Sequence, residues 1–385
     1  MRIEDLKKEF IKIYGEGEIR VFHSPGRVNL IGEHIDYNGG YVFPCALDFG
    51  TYGLVRKRKD NIINLASTNF SKRVSAKLYN IEYKEEDDWG NYLKGVIAFL
   101  LNEGYKVEGM DILISGNIPN GAGLSSSASI EVLMGVIIDE LFNQGRINRV
   151  QLIKLCQRAE NEFIGVNCGI MDQFSIGMGK KDKAILLNCD TLEFKYADFK
   201  LAEHTLIIMN TNKRRALSES KYNERRMECE EGLQEIKVHK EIDNLCSLSE
   251  EDYKTVEVLL KKENVRNRVK HVVYENERVK KAFIFLNEGN MEGFGELLTE
   301  SHISLRDLYE VTGIELDTMV ELSLNCKGCI GARMTGAGFG GCVIALVEKD
   351  KAEEFMKYVK EKYEDRIGYE PSFYLSGVGD GTKEC

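Results

Sequence analysis

No stretch of this 385-residue chain stays apolar for the length of a membrane span, which excludes a helical membrane protein. A secretion signal is also missing, since the opening Met-Arg-Ile-Glu-Asp-Leu-Lys-Lys-Glu-Phe is charged and amphipathic, with neither an apolar core nor a small-residue cleavage site. A cytoplasmic location is therefore expected. Positive charge is in deficit, with 52 Lys and Arg against 62 Asp and Glu, and the net charge of −10 argues against non-specific binding to nucleic acid or acidic membranes. The basic cluster Lys213-Arg214-Arg215 is too short to reverse that and reads as a solvated patch. Ten cysteines in a long chain without an export signal read as reduced thiols. Cys326 and Cys329 form one C-x-x-C with no partner pair at zinc spacing, so half the ligands of a structural site are missing. Cys45 and Cys342 read as small core residues, and an exposed Cys385 could form adventitious dimers in vitro. Internal repeats and low-complexity tracts are absent as well.

What is present suffices for two cores, because 385 residues exceed one ordinary domain and 43% of them are hydrophobic. The pattern predicts a helix over Ile3–Tyr14, strands at Ile19–Ser24, Tyr52–Arg56, Ile62–Ser67 and Met110–Ser115, and helices at Trp89–Asn102, Ser129–Asn143 and Arg149–Ile164. Strands at Ala184–Asn188 and His204–Asn210 follow a turn-rich stretch and open a second lobe. A charged, helix-like region spans Ser218–Leu298; then come Ala332–Thr335, Cys342–Val347, a helix at Lys351–Tyr363 and a last strand near Pro371–Ser376. Composition and pattern alone give an α/β protein of two lobes, divided into residues 1–180 and 181–385.

Two segments carry chemistry. Pro119–Ser129, P-N-G-A-G-L-S-S-S-A-S, lies between an apolar strand-like run and a helix whose Ile130, Leu133, Met134, Ile137, Ile138 and Leu141 fall at three- and four-residue spacing. Glycines there let the backbone pass close to a ligand, and the helix start adds free N–H groups and the positive end of its dipole. The segment is therefore a phosphate cradle. It is neither of the commonest nucleotide loops, because no Lys follows the glycines and Ser126 stands where G-x-G-x-x-G needs its last Gly. Ser24–Leu47 is dense in polar groups: Arg27, Asn29, Glu33, His34 and Asp36 stand within ten residues, interleaved with Val28, Leu30, Ile31 and Ile35. Carboxylates and an imidazole at fixed spacing suit a ligand rich in hydroxyls, which both donate and accept. The apolar neighbours pin the segment against a core.

These motifs together resemble the GHMP kinase family, and the G-R-V-N-L-I-G-E-H-x-D-Y run at Gly26–Tyr37 resembles the signature of the galactokinases within it. The P-x-G-A-G-L-S-S-S-A-S loop is similar to the family's ATP motif, and G-A-R-M-T-G-A-G-F-G-G-C at Gly331–Cys342 to its third, glycine-rich motif. The resemblance implies a ribosomal-protein-S5-like N-terminal lobe, a ferredoxin-like C-terminal lobe, and an active site in the cleft between them. It also implies transfer of the γ-phosphoryl group of ATP to the anomeric hydroxyl of galactose, with Mg²⁺ as cofactor, galactose and MgATP as partners, and a monomer as the working form. By position in the motifs, Asp172 is the expected proton acceptor and Arg27 the transition-state stabiliser. Glu33, His34, Asp36, Gly169 and Tyr222 are the expected sugar contacts. Ser67, Gly121, Ala122, Gly123, Leu124, Ser125, Ser126 and Ser127 are the expected ATP contacts, and Ser127 and Glu160 the metal ligands. Arg27 is expected beside Asp172, and a neighbouring cation makes a carboxylate a weaker base, so Asp172 either takes the anomeric proton early or mainly orients while the proton leaves late.

Three other readings compete. A sugar-and-ATP sensor of the same kind would lack kinase activity, but the associated loss falls within S-S-S-A-S, which is intact here from Ser125 to Ser129, as is Asp172. A kinase for N-acetylgalactosamine or arabinose stays open, because small changes in pocket shape alter selectivity by modest free energies. A mevalonate or homoserine kinase has no need of the Glu33-His34-Asp36 trio.

Overall fold

The opening helix, Ile3–Tyr14, buries Leu6 and Phe10 with Val21, Leu54 and Leu113 of a sheet beneath it, as its apolar period predicts. The computed structural model describes residues 2–119, 123–213 and 218–385. The sheet has six strands in the order Lys383–Glu384, Arg20–Asn29, Pro44–Lys57, Met110–Gly116, Ile62–Ser67, Val74–Lys77. Its pairings are antiparallel except that of Ile62–Ser67 with Met110–Gly116, whose crossover contains the helix Gly90–Asn102. Side chains alternate across a strand, so Leu54 and Leu113 face the opening helix while Val55, Ile112 and Ile114 face the opposite core. The helix Ser126–Phe142 fills that core, with Val132, Leu133, Val136, Ile137 and Ile138 all fully buried. It is apolar nearly all round because it packs on the sheet and on the helices Gly90–Asn102, Arg149–Arg158 and Met171–Met178.

A second sheet, wholly antiparallel, has the order Cys329–Thr335, Cys342–Glu348, His204–Asn210, Ser372–Ser376. In chain sequence that is second, third, first, fourth, the order of a ferredoxin-like sheet. Helices Ser218–Lys237, Glu263–Glu288, Met291–Ser304 and Ile314–Leu324 pack with it into the largest core. A small third sheet joins Tyr41–Val42, Lys183–Asn188 and Phe194–Asp198. Among the described residues no helix is long and apolar enough to cross a membrane.

Three departures from the sequence pattern bear on the site. The first strand does not stop at Ser24 but runs to Asn29, because the chain absorbs Pro25 with a register shift between Pro25 and Arg27. That extension carries Arg27 and Asn29 into the cleft. The helix predicted to Ile164 is α only to Arg158 and then widens into a π turn, Ala159–Ile164, which turns Glu160 inward to 7% exposure instead of leaving it on a polar face. The two-residue strands Tyr41–Val42 and Lys383–Glu384 are too short to show an alternation, and Val74–Lys77 and Phe194–Asp198 are further strands beyond those the sequence pattern marked.

Candidate active site

Asp172 stands in the first turn of the helix Met171–Met178, opposite Arg27 on the first strand. Arg27 donates from Nε and Nη2 to Asp172 Oδ1, both at 2.8 Å, and from Nη1 to the carbonyl of Gly123 at 2.6 Å. The Ser125 hydroxyl donates to Asp172 Oδ2. Ser125 is in the left-handed region, φ 61°, and its side chain makes no cap bond to the helix Ser126–Phe142 that it precedes. With that hydroxyl committed to Asp172, the first helical N–H groups keep their capacity for an anion.

Those groups open onto a cavity of about 250 Å³ lined by Thr51, Ser67, Phe70, Trp89, Gly116, Ser126, Ser127 and Ile130. Phe70 and Trp89 lie nearly parallel on one wall, ring centroids 6.3 Å apart and planes 19° apart. Trp89, the chain's one tryptophan, is 6% exposed, and its buried Nε1 has no hydrogen-bond partner among the described residues. Of the residues expected to hold ATP, Ser67, Ser126 and Ser127 line this cavity, Gly123 and Leu124 hold Arg27 through their carbonyls, and Ser125 holds Asp172. Gly121 and Ala122 lie outside the described residues.

Ser127 lies near enough to Glu160 to favour its charged form, which puts the two expected metal ligands side by side. A hydroxyl and a carboxylate are hard oxygen donors, the set a divalent magnesium-like ion takes when phosphates and water complete its shell. Among the described residues no group of three or more His, Cys, Asp or Glu is placed to hold an ion by itself. The pair therefore fits a metal that arrives with a nucleotide. Gln173, beside Asp172 in sequence, gives its one amide nitrogen to Glu160 Oε2 at 2.6 Å and to Glu131 Oε2 at 2.9 Å. Burial pushes the pKa of Glu131 well above the carboxylate range, with the charge of Glu160 adding to it; burial also raises Glu160, with Asp172 adding. Sequence reasoning missed Glu131 and Gln173. The signal available was the one carboxylate, Glu131, inside the apolar run Ile130–Ile138.

The sugar-type segment is held by the third glycine-rich motif. Glu33 Oε1 accepts from the backbone N–H of Gly336 at 2.7 Å and the Thr335 hydroxyl at 2.9 Å, with Arg333 Nη1 at 3.5 Å, and the Asn29 amide donates to Glu33 Oε2. Arg333, fully buried, also donates to the Leu30 carbonyl at 2.9 Å. His34 has φ 63°, Nδ1 at 2.8 Å from the Tyr37 hydroxyl and Nε2 at 3.2 Å from the Ala337 carbonyl. Burial pushes its pKa down to about 3, so the imidazole is neutral. Asp36 faces Gly169, where even a Cβ would come within 2.7 Å of Oδ2. Burial lifts the Asp36 carboxyl to about 6, a hydrogen bond from the Tyr37 backbone opposes the rise, and the charges of Glu33 and Asp172 add to it. Tyr222 rests 5.6 Å from the His34 ring, and burial raises its hydroxyl, with the charge of Asp36 adding and that of Asp172 contributing further. Glu33, His34, Asp36, Gly169, Tyr222 and Asp172 thus converge on one place, next to the nucleotide-type cavity.

Comparisons with known proteins agree with this geometry. Residues 8–57 match the galactokinase galactose-binding signature, 91–180 the GHMP kinases N-terminal domain, and 282–365 the GHMP kinases C-terminal domain. The galactokinase of Clostridium tetani is 63% identical over 384 residues, covering 100% of this chain and 98% of the relative. That of Clostridium acetobutylicum is 53% identical over 385 residues, covering 99% of each. The crystal structure of Lactococcus lactis galactokinase complexed with galactose superposes with a TM-score of 0.95 at 47% identity, covering all of both chains. The Methanococcus jannaschii mevalonate kinase shares the fold, with a TM-score of 0.68 at 21% identity over 95% of this chain and 100% of its own. With relatives this similar along its whole length, the chain belongs to the galactokinases of the GHMP kinase family.

Proposed function

We propose a division of labour among these residues for the activity that membership gives the chain, ATP-dependent phosphorylation of galactose at its anomeric hydroxyl. Asp172 is the group nearest the reacting hydroxyl, taking its proton or orienting it. Arg27 stabilises the phosphoryl group in flight: with Nε spent on Asp172, one N–H each on Nη1 and Nη2 remains for phosphoryl oxygens. Phosphoryl transfer needs positioning and charge stabilisation more than covalent chemistry, and the Arg27–Asp172–Ser125 cluster supplies both. That cluster, standing between the cavity and the sugar loop, is the observation that carries this assignment.

The cavity walled by Phe70 and Trp89 takes the adenine, Ser126 and Ser127 take phosphates, and Ser67 a further part of ATP. Mg²⁺ is the ion, held by Ser127 and Glu160; when bound it neutralises charge between the phosphates. On the sugar side, Asp36 accepts from galactose hydroxyls directly, Gly169 contributes backbone and leaves room for the Asp36 carboxylate, and Tyr222 reaches in from the helix Ser218–Lys237. Glu33 and His34 present the loop to the sugar, their side chains already tied to the third motif. The lobes divide near residue 180, and the protein works as a cytoplasmic monomer without nucleic-acid or membrane partners, in keeping with its charge of −10. The test is turnover of galactose with ATP and Mg²⁺ beside glucose, galactosamine, N-acetylgalactosamine and arabinose, with Asp172→Ala as control. Galactose should be the best acceptor and the variant silent. Galactose binding without turnover in the unmutated protein would mean a sensor, and a better acceptor in the panel would redirect the assignment to that sugar.

A further inference from the structure

Behind the sugar loop lies a tyrosine that no motif singles out. Tyr309 ends the π turn Leu305–Tyr309 and is fully buried. Its ring packs against two imidazoles, 4.9 Å from His34 and 4.5 Å from His271. Its hydroxyl is 2.8 Å from the Tyr37 hydroxyl and 3.1 Å from Cys229 Sγ.

The direction of every proton in this cluster follows from one carbonyl. His34 Nε2 faces the Ala337 oxygen, which can only accept, so Nε2 carries the hydrogen and Nδ1 the lone pair. Nδ1 therefore accepts from the Tyr37 O–H, Tyr37 accepts from the Tyr309 O–H, and Tyr309 accepts from the Cys229 S–H. His271 obeys the same rule: Nε2 donates to the Glu33 carbonyl at 3.2 Å and Nδ1 accepts from the Ser304 hydroxyl at 2.8 Å. Both imidazoles are neutral, His34 because burial brings it to about 3 and His271 because burial brings it to about 4. The Glu33–His34 pair, with its left-handed His34, is thus fixed from behind by two imidazoles that share Tyr309 as their packing partner. Tyr37, midway along the chain, also touches Tyr222 with ring centroids 5.6 Å apart.

We propose that Tyr309 is a positioning residue for galactose, holding the sugar loop and Tyr222 in register through Tyr37 and His34 and thereby setting sugar affinity and selectivity. The proposal rests on the reading of the Glu33–Asp36 loop and Tyr222 as the sugar side of the site. An ordered hydrogen-bond chain that reaches a left-handed residue suits this task, because a missing link at Tyr309 lets the Tyr37 hydroxyl turn away from His34 Nδ1 and the loop relax.

Tyr309→Phe keeps the ring and removes only the hydroxyl. We expect KM for galactose to rise about five- to tenfold, the factor one lost hydrogen bond is worth, with kcat and KM for ATP within about twofold of the unmutated protein. Discrimination against glucose and N-acetylgalactosamine should narrow. Nitrogen-15 spectra of histidine-labelled protein should show His34 as the Nε2–H tautomer, and the variant should keep that tautomer with the His34 Nδ1 resonance shifted as the Tyr37 hydrogen bond weakens. Tyr37→Phe, at a half-buried link of the chain, should give the same KM-only change and guards against a folding defect in the first variant. An unchanged KM for galactose in both variants, or equal losses for galactose and ATP, overturns the proposal. Asp36→Asn separates the two readings. If it weakens galactose binding while both Tyr variants bind normally, the sugar site stands and Tyr309 has no part in it. If Asp36→Asn also binds normally, the sugar-site reading fails and the proposal with it.

Discussion

The proposed phosphate side and the proposed sugar side of the site are built in opposite ways. The phosphate side is mainly one local unit, the strand Met110–Gly116 leading to the helix Ser126–Phe142, with Arg27 and Asp172 brought to its end. The sugar side is a bracket of distant pieces, in which the loop around Glu33 is held by Arg333, Thr335, Gly336 and Ala337, some 300 positions away, and by His271 and Tyr309. A local unit can position charge with its own backbone, whereas a bracket depends on contacts between segments far apart in the chain.

Changes on the phosphate side should strike turnover and leave galactose binding intact. Arg27→Lys keeps a positive charge but loses the fork, and should lower kcat by about a hundredfold or more with galactose affinity by calorimetry little changed. Loss of galactose binding in that variant would show that the two sides are not separable. Glu131→Leu leaves one Gln173 N–H without its acceptor and loosens Glu160. The concentration of divalent metal for half-maximal activity should rise about tenfold, and manganese binding followed by electron spin resonance in the presence of a non-hydrolysable nucleotide should weaken in parallel. A melting temperature that falls with metal affinity unchanged would assign Glu131 to the core alone.

The sugar side should answer to pH. Asp36 has its folded pKa raised to about 6 from an ordinary 3.8, so below about 6 the carboxyl is protonated and loses acceptor capacity toward hydroxyl protons. Galactose affinity should fall severalfold as pH drops through 6, while Asp36→Asn binds weakly and without that dependence. Linkage gives the opposite sign for folding: the folded state binds the proton more tightly than the unfolded one, so this group's contribution to the stability of the sugar-free protein declines as pH rises from about 4 to about 6. A galactose affinity flat across this range would remove Asp36 from the direct contacts. The smallest expected signal is optical. Trp89 is the chain's one tryptophan and lies on the cavity wall, so its fluorescence should change on adding ATP and hardly at all on adding galactose. The reverse response would exchange the two sides.

The same contrast explains what could be read without the fold. The opening helix Ile3–Tyr14 and the strands Ile62–Ser67 and His204–Asn210 were legible to the residue, the helix by its apolar period and the strands as short apolar runs bounded by polar residues. The Ser run and its helix could be put forward as a phosphate site from the sequence because their chemistry is contiguous. Glu33, His34 and Asp36 could be singled out as a polar trio, but nothing local says that the Glu33 carboxylate is tied to Thr335 and Gly336 or that both His34 nitrogens are occupied. Those facts depend on contacts across the chain. Tyr309 and Arg333 look like ordinary core and strand residues for the same reason, and Glu160 looked exposed because the π turn that buries it has no distinct sequence signal.

The most direct test of the account is Asp172→Asn, measured for galactose binding by calorimetry and for turnover with ATP and Mg²⁺ on the same preparation. The account predicts kcat lower by about a thousandfold with galactose affinity within about threefold of the unmutated protein, because Asp172 acts on the reacting hydroxyl while the bracket holds the sugar. Turnover within a few-fold of the unmutated protein, or loss of galactose binding together with turnover, would contradict it.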